Sequence, residues 1–111
     1  MNPPQTPIEL STVTTTVATA EDARRLAQTV LQQRLAACVQ VEPITAYYRW
    51  QGVQQEEGEW RLVCKTLPEA VPALLALLRA QHPYELPQLV VQALQATKDY
   101  AEWVRQEVQS A

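Results

Sequence analysis

The amino-acid sequence predicts an α+β domain whose strands and helices follow the order β-α-β-β-α-β-α. Three features carry the prediction. A β-branched run stands near the start, two apolar stripes recur at helical spacing, and between them a long alternating stretch turns back on itself at Gln51-Gly52.

Met1 to Pro7 holds three prolines and little apolar matter, which predicts a flexible tail over residues 1–8 and a single domain over 9–111. From Leu10 to Ala18 the run LSTVTTTVA suits a strand, because branched β-carbons pack well on a pleated surface. Thr19 opens a helix as N-cap, with Asp22 three residues on. Ala23, Leu26, Ala27, Val30, Leu31 and Leu35 form its buried stripe. The stretch ACVQVEPITAYYRW (37–50) alternates and contains Pro43. Proline cannot donate a ladder hydrogen bond, so this is an edge strand or one that bulges at Pro43. Ile44, Ala46, Tyr48 and Trp50 then share one face, and Thr45, Tyr47 and Arg49 the other. After the turn, EWRLVCKT (59–66) returns as the second half of a long hairpin. Pro68 fits a first helical turn, and Val71, Leu74, Leu75 and Leu78 give a second helix. LPQLVVQAL (86–94) reads as a fourth strand. Thr97 or Asp99 can cap a closing helix that carries Tyr100, Trp103, Val104 and Val108 on one side. This order is the split βαβ of a ferredoxin-like sandwich with an added C-terminal helix, an antiparallel sheet with helices on one face.

Composition narrows the function. Nine basic against twelve acidic residues give a net charge of -3, without a basic run to hold phosphates, so nucleic acid is not an expected partner. The longest apolar run, Ala70 to Leu78, spans nine residues, where a membrane helix needs about 20. The start lacks a secretory pattern, and Cys38 and Cys64 are isolated thiols, read as reduced. A cytoplasmic location without membrane attachment is the expectation. Only two glycines occur, so there is no Gly-rich phosphate loop and no G-x-S-x-G. Neither cysteine starts a helix, where its thiolate would be favoured. No enzyme is predicted, and no cofactor is required.

The segment HPYELP (82–87) brackets the only histidine, a tyrosine and a glutamate between prolines. Pro83 and Pro87 bias the residues before them to extended geometry, and such pre-ordering lowers the entropy cost of capturing a ligand. His82 and Glu85 each carry a possible metal donor. Transition-metal sites gather three or four donors, however, and a surface or capping role for His82 is the plainer reading. Tyr48 and Trp50 suit packing against a helix or a neighbouring chain, or a ligand face. Glu59 belongs to an acidic group with Glu56 and Glu57, which also reads as a solvated tip. Lys65 precedes the Pro68 helix start, where backbone N–H groups favour anions.

Five blocks, RLAACVQV (34–41), YYRWQG (47–52), VCKT (63–66), HPYELP (82–87) and DYAEWV (99–104), resemble in order and spacing the CutA family of divalent-cation-tolerance proteins. The resemblance implies a ferredoxin-like homotrimer similar in architecture to the PII signalling proteins, with the hairpin reaching onto a neighbouring subunit. It further implies a small anionic or zwitterionic ligand in each inter-subunit cleft, formed by Tyr48, Trp50, Glu59, Lys65, His82, Tyr84 and Glu85, with a signalling or metal-response output. A copper-binding role is the alternative, with His82 and Cys38 or Cys64 as ligands. Some members are credited with copper binding through a first-strand cysteine and a histidine pair; the matching positions here are Thr15 and Gln81-His82. The family's usual proline and glycine after the fourth strand read Gln92 and Ala96.

Overall fold

In a computed structural model that describes residues 6–108, one four-stranded antiparallel sheet carries the chain, in the order β2-β3-β1-β4. The strands are β1 (Ile8–Val17), β2 (Cys38–Trp50), β3 (Val53–Thr66) and β4 (Val90–Ala96). The helices are α1 (Ala20–Gln32), α2 (Val71–Gln81) and α3 (Lys98–Glu107). The predicted α+β order is therefore the one adopted. Of the tail read over 1–8, residues 1–5 lie outside the described part, and Ile8 already belongs to β1.

Cross-strand partners share a face, so the register sorts the side chains. Val13 opposes Cys64 and Thr15 opposes Leu62. These residues look towards α1 and α2, where Val13, Val17, Ala23, Leu26, Val30, Leu62, Leu74 and Leu78 form the main core. Leu10 is three residues from Val13 and so faces the other side. It packs with Leu67, Ala70, Ala101, Val104 and Val108. The closing helix thus lies on the opposite face from α1 and α2, which corrects the expectation of helices on one face. Parity along β1 is the cause, since both odd and even positions carry an apolar residue that needs cover.

Local chemistry explains most boundaries. The Thr19 hydroxyl accepts the Asp22 N–H at 3.0 Å and starts α1. That helix ends in a Schellman turn. Arg34 takes the left-handed conformation with φ 55°, and its N–H bonds Leu31 O while Leu35 N–H bonds Val30 O. The Arg34 guanidinium then donates to Gln106 O at 2.7 Å and Glu107 O at 3.0 Å. One residue therefore closes α1 and holds the last carbonyls of α3.

Other boundaries move. Pro68 to Ala70 make a single 3-10 turn, and α2 proper begins at Val71 with Pro72 in its first turn. β4 begins at Val90 rather than Leu86, because its pairing with β1 stops at Thr14. β3 begins at Val53, six residues before the predicted Glu59. Trp50 pairs with Val53, so Gln51 and Gly52 are the whole turn. Both have positive φ, 51° and 81°, as a type I′ hairpin turn requires. β2 is an edge strand as Pro43 demands, and its register runs through Pro43 opposite Trp60 without a bulge. On α3, Ala101 and Val104 are buried while Trp103 is exposed.

Truncating the fully buried Leu74 to Ala is expected to cost ~2–5 kcal/mol, and truncating the half-buried Leu75 clearly less, by urea denaturation. Arg34→Gly should be less damaging than Arg34→Ala by about 1 kcal/mol, since only glycine adopts the left-handed turn without penalty. Both lose the bonds to α3.

Candidate functional site

The sheet does not end evenly. β1 pairs with β3 only from Trp60 to Thr66, whereas β2 pairs with β3 along its full length to Val53. Residues 44–59 therefore leave the sheet as a two-stranded arm, roughly 23 Å of chain on each side. The radius of gyration, 15.7 Å, exceeds the roughly 13 Å of a compact chain of this length. One face of the arm carries Ile44, Ala46, Tyr48 and Trp50 with Val53, Gln55, Glu57 and Glu59. That is the sequence-read face, now joined by its partner strand. Tyr48, Trp50 and Val53 are exposed.

At the base of the arm, where β1 stops, three of the proposed residues meet. The Tyr84 hydroxyl donates to Glu59 Oε2 at 2.8 Å. The Tyr84 N–H donates to His82 Nδ1 at 3.0 Å, and the two rings lie 5.0 Å apart. Because Nδ1 accepts, the ring proton belongs on Nε2. It points at Thr16 O, 3.0 Å away, with the Thr15 hydroxyl oxygen at 2.9 Å. His82 thus occupies the edge of β1 that β4 leaves unpaired. Its extended backbone, φ -74° and ψ 136°, is the geometry that Pro83 imposes. Arg25 donates to Gln81 O at 3.2 Å and steadies the end of α2.

The remaining candidates are spread out. Tyr48 lies further along the arm, close enough for Glu57 and Glu59 to act on it; burial and these carboxylates raise its phenol pKa. Trp50 is at the arm tip, six residues along β2 from the partner of Glu59, roughly 20 Å away. Glu85 is exposed. Lys65 lies at the opposite end of β3, again roughly 20 Å from Glu59. There its ammonium stands 5.8 Å from the Tyr100 ring centroid, and Tyr100 in turn contacts Trp103 at 5.6 Å between centroids. Cys38 is half-buried opposite Lys65, so one chain does not bring it to His82. Thr16 and Arg25 were not read as site residues, and Thr15 only as the residue matched to a copper-ligating cysteine. They become so only because the fold lays residue 82 beside residues 15 and 16.

The donor set does not fit a metal. Both His82 nitrogens are engaged, and among the described residues no three His, Cys, Asp or Glu side chains are placed to hold an ion. Thr15, at the position that the resemblance matches to a cysteine, offers a hydroxyl already facing Nε2. Burial pushes the Cys64 thiol up to about 12, with Cys38 nearby adding to the effect, so Cys64 is no nucleophile at neutral pH.

Burial lowers the His82 pKa below its ordinary 6.5, against opposing pulls from Thr16 O, Asp22 and Glu59. Burial also raises Tyr84, helped by its bond to Glu59. A depressed histidine contributes stability above about pH 6.5 that is lost as pH falls through its folded value. A raised phenol contributes below about pH 10 and loses it as pH rises. Chemical denaturation across pH should therefore show a plateau between those limits, with the acid limb flattened in His82→Asn. Tyr84→Phe should cost ~1–3 kcal/mol by leaving the Glu59 carboxylate short of a donor. A thiol reagent should label at most one cysteine per native chain, with Cys64 reacting only on unfolding.

Comparison with known proteins agrees with this architecture. A sequence profile of the family described as CutA1 divalent ion tolerance protein matches residues 11–107. The chain is 39% identical over 93 residues to the divalent-cation tolerance protein CutA of Thermus thermophilus, covering 82% of this chain and 90% of that one. It is 39% identical over 90 residues to protein CutA of Homo sapiens, covering 79% of this chain and 50% of the human protein, and so spans about half of that relative's length. The solved structure of CutA from Synechococcus elongatus superposes with a TM-score of 0.89 at 37% identity over 95% of both chains. The profile match, the relatives and the shared fold lead to one conclusion: the chain belongs to the CutA1 divalent ion tolerance family.

Proposed function

We propose that the chain acts as a non-enzymatic homotrimer that takes a small anionic or zwitterionic ligand in each inter-subunit cleft, with a signalling or metal-response output. The observation that carries this reading is the arm. A two-stranded ribbon is marginal in water by itself, and this one exposes Tyr48, Trp50 and Val53 on an edge strand open to pairing. A sister chain would cover both liabilities.

The charges suggest how copies would meet. Glu56, Glu57 and Glu59 lie on the arm, and Lys65 with Tyr100 and Trp103 at the far end of the same strand. A head-to-tail contact lays the arm of one copy over the Lys65 end of the next, and repetition of that contact closes a ring. Each junction then holds a cation, carboxylates and aromatic faces, a set suited to a carboxylate or an amino acid. The cytoplasm is the proposed compartment, in keeping with two free thiols. Copper binding ranks second, since it requires His82 to give up its bonds to Tyr84 or Thr16.

Light scattering at micromolar concentration should report a particle of three chains; a folded 12.5 kDa particle sinks the trimer and the clefts together. Thermal melting against a panel of carboxylates, amino acids and nucleotides should then find a stabiliser, since ligand at ~100 times its Kd adds ~2.7 kcal/mol. Lys65→Ala should abolish that shift while the trimer persists. A panel without any shift counts against the ligand role.

A further inference from the structure

We propose that the base of the arm is a site for a primary ammonium group, formed by the carboxylates of Glu57 and Glu59 and the rings of Tyr48 and Tyr84. The ligand of the cleft is then an amino acid and not a simple anion, which rests on the ligand reading above and narrows it. The ammonium site itself lies within one chain.

Glu59 is only 9% exposed, and a carboxylate so far out of water calls for a counter-ion. It has none. Among the described residues its one hydrogen-bond partner is the neutral Tyr84 hydroxyl, which donates to Oε2. The ion pairs of the described residues are Arg25 with Asp22, Arg61 with Glu42, Lys98 with Glu102 and Arg105 with Glu69. Neither Glu57 nor Glu59 is among them. The nearby cations are committed elsewhere: Arg61, two positions along the same face, gives its guanidinium to Glu42, and Arg25 serves Asp22 and Gln81 O.

The groups around these carboxylates are those that select a cation. Glu57 and Glu59 share the arm face of Tyr48 and stand roughly 7 Å apart at their α-carbons, so one ammonium can bridge them. Ala46, opposite Glu57, reaches only a methyl group towards that face. Tyr84 arrives from the loop after α2. Burial raises both phenols, Glu57 and Glu59 add to the effect in each, and Tyr48 acts on Tyr84, so the four groups lie within range of one another. A phenol ring attracts a cation held within about 6 Å of its face. Carboxylates accept N–H bonds, so a primary ammonium satisfies the set where a quaternary one, without a donor, does not. A simple anion here would add to two negative charges that already lack cations, and a head-to-tail contact supplies one Lys65 per junction. An amino acid places its ammonium between the carboxylates and leaves its own carboxylate for that lysine.

Paired probes separate the two ends of the ligand. By calorimetry on the full chain, whichever of alanine, glutamate and phenylalanine binds should do so about tenfold tighter than its partner without the amine, propionate, glutarate or 3-phenylpropionate. Glu57→Gln, at an exposed position, and Glu59→Gln, whose amide oxygen can still accept from Tyr84, should each close that gap. Lys65→Ala should weaken both members of a pair alike. Ethylammonium chloride, against sodium chloride at equal ionic strength, should shift the Tyr48 and Tyr84 ring signals in NMR of the wild type and leave them in place in Glu57→Gln. Such shifts without binding of any amino acid would uphold the ammonium site and remove the cleft ligand. Equal binding of the paired acids, rings indifferent to ethylammonium, or ethylammonium binding that strengthens in Lys65→Ala, the sign that a neighbouring lysine fills the spot, would each overturn the site.

Discussion

β3 is longer than the strand beside it, and the rest of the molecule follows from that mismatch. Residues 60–65 are held by β1 on one side and β2 on the other, whereas 53–59 have β2 alone. In the first stretch the alternating residues Leu62 and Cys64 are buried, and the strand behaves as ordinary sheet interior. Past Glu59 the same strand has no buried residue, Val53 to Gly58 being exposed or half-buried. The apolar surface that the fold does not use there is carried out on the arm.

The polar cluster sits at the point where support ends. A strand that loses its neighbour leaves backbone groups and side chains that must find other partners or water. Here the Thr16 carbonyl, at the stopped edge, receives the His82 ring, and Glu59, one residue past the last β1 pair, receives the Tyr84 hydroxyl. Among the described residues no buried side-chain nitrogen or oxygen lacks a partner. Such satisfaction gives a buried polar group a definite geometry. The His82 ring both donates and accepts, so it has no spare hydrogen-bonding capacity.

Charge is divided along one strand. Carboxylates occupy the arm end of β3 and a lysine the helix-capped end, with aromatic rings at both. Within one chain these ends are too far apart to contact a common small molecule. Their separation suits assembly, because a strand that is acidic at one end and cationic at the other is complementary to a copy of itself shifted along it. The family name speaks of divalent ions, yet this chain's histidine is committed to hydrogen bonds, and among the described residues no three His, Cys, Asp or Glu side chains are placed to hold an ion.

Much of the fold was legible in local chemistry. Thr19, Pro43 and Pro83 each act through a rule that needs no distant partner: a hydroxyl that caps, a missing N–H, a ring that crowds its predecessor. The α1 stripe and the Ile44-to-Trp50 face were readable for the same reason, since periodicity belongs to the element itself. The first half of β3, VQQEEG, was not, because its polar residues carry no alternation and become strand only by pairing with β2. The placement of α3 was hidden too, since Leu10 and Val13 look equally apolar until strand parity sends them to opposite faces.

By itself the sequence determined the element order, the Thr19 cap, the edge position of β2 and the pre-extended His82. Tertiary structure alone decided that His82 would meet Thr15 and Thr16, that Tyr84 would reach Glu59, and that Lys65 would stand apart from both. Capping and backbone preference act over a few bonds and are written in neighbouring residues. Contacts between positions 67 residues apart depend on where strands stop, and that is set by the whole sheet closing at once.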